Sequence, residues 1–192
     1  MANKFDIRTL VIAARATLSP ADIESARQAI RAAVLDYCRQ LPVAVGARIA
    51  GYQPLRTEPG SVELLRELLA RGYEVIVPVT LPDRDLDWIR WTPVGQPVEQ
   101  SDLLGPDAIS LAALVLVPAF AIDRQGHRLG RGGGSYDRAL ARVPAGVPVA
   151  ALVYDRELVD DVPVDAWDQP VSAAVSPSGW AELTPGGRRN SS

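Results

Sequence analysis

Two short, almost wholly apolar runs, Ala112–Val117 and Val147–Val153, constrain the fold of this chain more than any other feature. Neither alternates between apolar and polar positions, so each predicts a strand buried on both faces. Strands are also expected at Arg48–Tyr52 and at Tyr73–Val77, the latter closed by Pro78, with LDWIRW (86–91) as an exposed or hairpin strand. Helical signals lie between them. Residues 3–17 carry a 3.6-residue apolar period, and Ser19-Pro20-Ala21-Asp22 reads as an N-cap, a first-turn proline and an acid that open a helix to Arg39. Its core face would be Ile23, Ala26, Ile30, Ala33, Val34 and Tyr37. Ser61–Arg71, ended by Gly72, and Tyr136–Arg142 complete the set. Such alternation implies a single three-layer α/β/α domain over residues 1–180 with a mostly parallel central sheet, followed by a flexible tail at 181–192. Ligands on such sheets sit beyond the carboxyl ends of the strands, here marked by Tyr52, Pro78, Pro118 and Tyr154.

On the first helix Ile7, Leu10, Val11, Ala14 and Leu18 share an arc that should face the core. Lys4, Arg8 and Arg15 form a basic stripe along its border, either a solvated face or a row of cations at the rim of a buried interface.

The stretch Arg128–Arg138, RLGRGGGSYDR, packs four of the 15 glycines and three arginines into eleven residues. Glycines at 130, 132, 133 and 134 can take positive φ, so successive N–H groups can curl around an anion. Ser135 would cap the following helix, and Arg128 and Arg131 would add formal charge. The bland alternative is a loose glycine loop with solvated arginines. Against it, Pro118–Gly134 spans 17 residues with Phe120, Ile122 and Leu129 spaced along it as apolar anchors, and long structureless loops in compact domains are usually functional. The loop matches neither GxxxxGK[ST] nor a Rossmann fingerprint, having no lysine and a serine at 135.

Composition excludes other classes. A net charge of −3 disfavours a nucleic-acid partner, no apolar run approaches a membrane span, and the N-terminus lacks a signal-peptide core, so a cytoplasmic protein is expected, and with no coiled coil or long apolar edge evident, a monomer. The single cysteine, Cys38, reads as a packed helix residue rather than a nucleophile. Trp88 and Trp91 are expected to cover the sheet rather than to stack on a ligand, and the acidic run 155–161 to be solvated. Of twenty basic residues nineteen are arginine, a bias of codon usage, and the one retained lysine, Lys4, is either left by chance or marks a place for a compact ammonium.

Four stretches in order, Lys4-x-x-x-Arg8 with Arg15, IAGYQPLRTE, PAFAIDRQGHRLGRGGGSYDR and VPVDAWDQPV, resemble the 5-formyltetrahydrofolate cyclo-ligase (5,10-methenyltetrahydrofolate synthetase) family. The third is similar to its pattern P-x-x-x-x-D-x-x-G-x-R-L-G-x-G-x-G-[YF]-Y-D. The resemblance implies an enzyme that uses ATP and Mg2+ to close 5-formyltetrahydrofolate, polyglutamylated or not, into 5,10-methenyltetrahydrofolate, through a phosphorylated formyl intermediate. It implies that Lys4, Arg8 and the loop Arg128, Leu129, Gly130, Arg131, Gly132, Gly133, Gly134, Ser135 and Tyr136 hold ATP, with Arg128, Arg131 and Tyr136 catalytic. It assigns Tyr52, Gln53 and Glu58 to the folate, and Asp137 and Asp168 to the metal. Taken alone, Asp137 could equally be a first-turn carboxylate and Asp168 a turn former before Pro170. The formyl oxygen has no proton to lose, so no general base is required there, and His127 reads as an exposed loop residue. Departures from the pattern are Ser135 for Tyr or Phe, Ser172 for Asp, Gly105-Pro106 for Glu-Pro, and Gly133 where some relatives have lysine. Ser135 motivates an alternative, a non-catalytic folate or nucleotide binder of the same fold. A third reading is a nucleotide-dependent enzyme acting on another formyl or amide substrate.

Overall fold

Helix starts are set by side-chain caps. In the computed structural model, which describes residues 3–40, 44–93 and 99–184, the first helix α1 (Lys4–Ala16) begins where Asn3 accepts the N–H groups of Phe5 and Asp6. The second, α2 (Pro20–Gln40), opens with the expected reciprocal cap: Asp22 N–H donates to Ser19 Oγ at 3.1 Å, and Ser19 N–H to Asp22 Oδ2 at 3.2 Å. After β1 (Arg48–Ala50), Ser61 Oγ accepts the Leu64 N–H at 3.1 Å and starts α3 (Val62–Ala70). The chain then turns at Gly72, φ +87°, into β2 (Glu74–Thr80). The antiparallel β3 (Leu86–Arg90) follows, then β4 (Ala112–Pro118), and the short pair β5 (Ala121–Ile122) and β6 (Arg128–Leu129). The remaining elements are α4 (Ser135–Leu140), β7 (Val149–Leu152), β8 (Ala173–Ser176) and β9 (Gly179–Glu182).

Seven strands form one sheet in the order β3-β2-β1-β4-β7-β8-β9. The five inner strands run parallel and the two edges antiparallel. This is the α/β architecture with a mostly parallel sheet that the apolar runs predict. The core divides into two layers. Ile30, Val34, Leu64 and Leu68 of α2 and α3 pack on one face, and Trp88, Ile109, Ala139 and Leu140 belong to the cluster on the other. Burying each large aliphatic side chain contributes roughly 1.5–3 kcal/mol. Trp88 and Trp91 belong to these layers, as expected, and Cys38 is buried.

Several boundaries differ from expectation. Pro78 does not end β2, because β1 stops at Ala50 opposite Ile76, leaving no ladder bond that the missing N–H must supply on that side. The Pro118–Gly134 connection is not structureless; β5 and β6 pair within it. Residues 181 and 182, assigned to the tail, lie in β9, where Trp180 stacks on Tyr37 with ring centroids 3.5 Å apart. The tail residues 185–192 lie outside the described residues. No described helix is long and apolar enough to cross a membrane.

The first helix keeps part of its expected inner face but is turned towards the basic stripe, so that Leu10 and Ala14 of the expected arc are exposed. Phe5, Leu10 and Ile12 are exposed, whereas Ile7 and Val11 pack on Phe120, Leu129 and Val162 around the β5–β6 hairpin. Arg15 is only 4% exposed. The basic stripe faces inward because each cation finds an acceptor there, which an apolar face does not need.

Candidate active site

Arg15 is the anchor of α1. Its Nε and Nη2 donate to Glu157 Oε1 at 2.6 Å and Oε2 at 2.7 Å, and Nη2 also donates to the Ala119 carbonyl at 2.7 Å. The guanidinium lies over the rings of Phe120 and Tyr154, 5.2 and 5.6 Å from their centroids. Burial works against the Arg15 charge, but the Glu157 carboxylate more than offsets it, so the pKa rises. Glu157 thus departs from the solvated acidic run expected at 155–161; it is buried and also accepts the Tyr154 N–H.

With Arg15 docked, the rest of the stripe reaches the glycine loop. Arg8 Nε donates to the Gly130 carbonyl at 2.8 Å, and its Nη2 lies 3.3 Å from where a Cβ on Gly132 would stand. Lys4 Nζ donates to Asp165 Oδ2 at 2.7 Å and Asp168 Oδ2 at 2.6 Å. Burial lowers the Lys4 pKa and these two bonds raise it more, so the net shift is upward. The single lysine therefore does occupy a place for a compact ammonium, between two carboxylates.

Of the four loop glycines, Gly132 and Gly134 take positive φ, +96° and +68°, and the other two do not. Gly130 is needed for another reason: a Cβ would fall 2.6 Å from Arg128 Nη1. Gly134, not Ser135, precedes the first helical residue, so the expected serine cap is absent; a left-handed residue there lets the chain enter α4 directly. Among the described residues, no protein acceptor bonds the N–H groups from Arg131 to Ser135. Leu129 is buried against Phe120 and Val162 and can offer a ligand only its backbone.

Arg128 is buried, donating to Asp137 Oδ1 at 3.0 Å, yet its Nε has no partner among the described residues. A buried, unpartnered guanidinium N–H costs free energy unless something accepts it. This arginine walls a cavity of about 200 Å³ together with Arg15, Arg131, the loop glycines and Asp137. Beside it lies a cavity of about 810 Å³ at the carboxyl ends of the strands, reached by Tyr52, Gln53, Ile89 and Trp91. Glu58, Arg131 and Tyr136 line both. Glu58 is buried, accepts the Leu55 N–H at 2.8 Å on one oxygen, and meets the exposed Arg131 at 3.1 Å on the other. Tyr136 and Tyr52 are both pushed well above the usual phenol pKa by burial, which keeps them as neutral donors. The Tyr52 hydroxyl has no partner among the described residues and sits 2.9 Å from where a Gly60 Cβ would be.

The two expected metal carboxylates lie on adjoining segments. Gln169 N–H donates to Asp137 Oδ1 at 3.3 Å, which places the Asp165–Gln169 strap beside the first turn of α4. Among the described residues no preformed cluster of three metal-ligating side chains exists. Asp137 Oδ2 carries no hydrogen bond among them. Hard carboxylate oxygens of this kind fit Mg2+, which commonly takes one or two protein carboxylates and completes its shell from phosphates and water.

Sequence reasoning missed several residues. Asp123 is buried and organises the hairpin turn, accepting the N–H groups of Gln125, His127 and Val162 and meeting His127 Nδ1 at 2.9 Å. His127 is therefore pinned rather than loose. Gly126 follows from the same turn: at φ +80° a Cβ would lie 2.1 Å from the Val171 carbonyl, and Val171 N–H donates to Gly126 O at 2.9 Å. Asp165 shares Lys4 with Asp168, a role that no spacing rule announces.

Comparison with known proteins fits this geometry. The sequence model of the 5-formyltetrahydrofolate cyclo-ligase family matches residues 1–177. A Mycolicibacterium smegmatis 5-formyltetrahydrofolate cyclo-ligase is 33% identical over 187 residues, 91% of this chain and 94% of that protein. The Escherichia coli (strain K12) enzyme of that name is 29% identical over 153 residues, 71% and 81% of the two chains. The 5,10-methenyltetrahydrofolate synthetase of Mycoplasma pneumoniae superposes with a TM-score of 0.76 at 21% identity, covering 92% of this chain and 99% of that one. That of Aquifex aeolicus gives 0.70 at 26%, with 98% and 96% covered. Matched along nearly its whole length, with the glycine loop, the inward basic stripe and the acidic strap brought to one corner, this chain belongs to the 5-formyltetrahydrofolate cyclo-ligase family.

Proposed function

We propose that the chain closes 5-formyltetrahydrofolate into 5,10-methenyltetrahydrofolate, consuming ATP and releasing ADP and phosphate. The observation that carries this reading is the shared wall: Glu58, Arg131 and Tyr136 line both the arginine-rich cavity and the larger one. About 810 Å³ suits a folate-sized ligand. In this reading the triphosphate lies against the open N–H groups of the loop, with Arg8 above it and the unpartnered Nε of Arg128 beneath. The folate lies across Tyr52 and Gln53 with Glu58 accepting from its pterin ring.

The formyl oxygen attacks the γ-phosphorus and the bond to the β-phosphate oxygen breaks, releasing ADP. N10 then attacks the formyl carbon, loses its proton, and the C–O bond to phosphate breaks as the ring closes. Negative charge develops on the transferring phosphoryl group, so the protein contributes mainly position and charge. Arg128 is held by Asp137, and Arg131 by Glu58, aimed at that junction. Asp137 and Asp168 would hold Mg2+, which would supply charge neutralisation at the phosphates. Lys4 then passes from the strap to the phosphates.

The test mixes purified protein with 5-formyltetrahydrofolate and Mg2+, with and without ATP, and follows methenyl absorbance. Growth that requires ATP is expected. Binding without growth would sink the catalytic reading in favour of a non-catalytic binder, and ADP release only with other formyl or amide substrates would move the reaction elsewhere.

A further inference from the structure

Trp167 is the most exposed of the four tryptophans, 67% open to solvent, although it lies in the ordered strap that carries Asp165 and Asp168. A solvated indole contributes nothing to the fold. Its position gives it a use. Trp167 lines a third cavity, about 550 Å³, whose other walls are Gly132–Gly134, Asp137, Arg138 and Gln169. The same three glycines and Asp137 wall the arginine-rich cavity. The loop is therefore a partition with one cavity on either side, and the third cavity contains the indole, a long guanidinium side chain and a carboxamide.

We infer that Trp167 is the platform for the base of the nucleotide, with its phosphates running over the glycine loop into the arginine-rich cavity. This rests on the nucleotide reading given above. A flat π-face at the end of a phosphate track is what a purine needs and what a bare triphosphate does not. The strap is held in place independently of any ligand. Gln169 N–H bonds Asp137, its Nε2 donates to the Trp167 carbonyl at 3.2 Å, and Val171 bonds Gly126. The carboxamide oxygen of Gln169 has no partner among the described residues and can accept from an exocyclic amine. Arg138, whose Nη2 donates to the Arg84 carbonyl, adds a planar guanidinium to the wall of the same cavity.

Affinities of the full-length protein for Mg-ATP and for inorganic tripolyphosphate test this, measured for wild type, Trp167→Ala and Trp167→Phe. Trp167→Ala should weaken ATP by about tenfold or more while leaving tripolyphosphate within about twofold. Trp167→Phe, which keeps a ring, should retain most of the ATP affinity. Unchanged ATP affinity in Trp167→Ala, or equal losses for ATP and tripolyphosphate, overturns the platform and leaves the nucleotide reading intact. Wild-type protein that binds neither probe removes the nucleotide reading, and the platform with it.

Discussion

Replacing Arg15 by methionine should be among the most damaging single changes in the chain. Methionine keeps the volume of the aliphatic stem but deletes three hydrogen bonds, two to Glu157 and one to the Ala119 carbonyl. Both partners are about 5% exposed at the side chain, so Glu157 would be left buried with only the Tyr154 N–H as donor. Removing one member of a buried pair costs about 3–5 kcal/mol, a large part of a total near 5–15 kcal/mol. For a chain of this size that is a fall in Tm of roughly 6–20 °C. Denaturant titration of wild type, Arg15→Met, Glu157→Gln and the double variant separates the terms. The glutamine keeps an acceptor for Tyr154 without the charge, so the double variant should recover at least half of the Arg15→Met loss. Because Arg15 docks the helix bearing Lys4 and Arg8, the apparent KM for ATP should rise as well. A loss below about 1 kcal/mol, or strict additivity in the cycle, would refute the claim that this pair anchors α1.

Other expectations follow from single contacts. Asp137→Ala should remove Mg-dependent turnover, a cost of several kcal/mol in the barrier, while circular dichroism stays native; wild-type rates would take Asp137 out of the metal site. Gly126→Ala places a Cβ 2.1 Å from the Val171 carbonyl at a positive φ, and should lose on the order of 1–3 kcal/mol in denaturant titration; wild-type stability would mean that the hairpin–strap contact is loose. Burial pushes the Cys38 thiol up to about 11 from 9.0, so native protein should resist thiol reagents at pH 8 that label the unfolded chain at once. The raised native pKa also has a definite sign: its stabilising effect is full below pH 9 and is lost as pH climbs toward about 11, where Cys38→Ala should flatten the decline.

Much of this architecture was legible because local signals and burial agree. The cap at Ser19, the helix expected from Ser61 and the apolar runs at β4 and β7 read correctly. What failed were features decided by distant partners. The arc of α1 was misjudged because hydrophobicity ranks Leu10 above Arg15, whereas Glu157, 142 residues away, makes the arginine the better-buried side chain. Strands β8 and β9 escaped notice because AAVS and GWAE are short and carry little apolar weight, and their places depend on β7 and Tyr37. The loop's glycines announced an anion site, but the separate duties of Gly130 and Gly134 emerge only from the packing of Arg128 and the entry into α4.

The contacts of α1 have a temporal implication. Lys4, Arg8 and Arg15 meet partners 164, 122 and 142 residues downstream, so this helix is synthesised well before the segments it packs on and must wait for them before it has anywhere to settle. Loop closure over such spans comes late in assembly. A nascent chain can pair its inner strands and still lack the corner where α1, the glycine loop and the acidic strap meet, which is completed only when the helix docks.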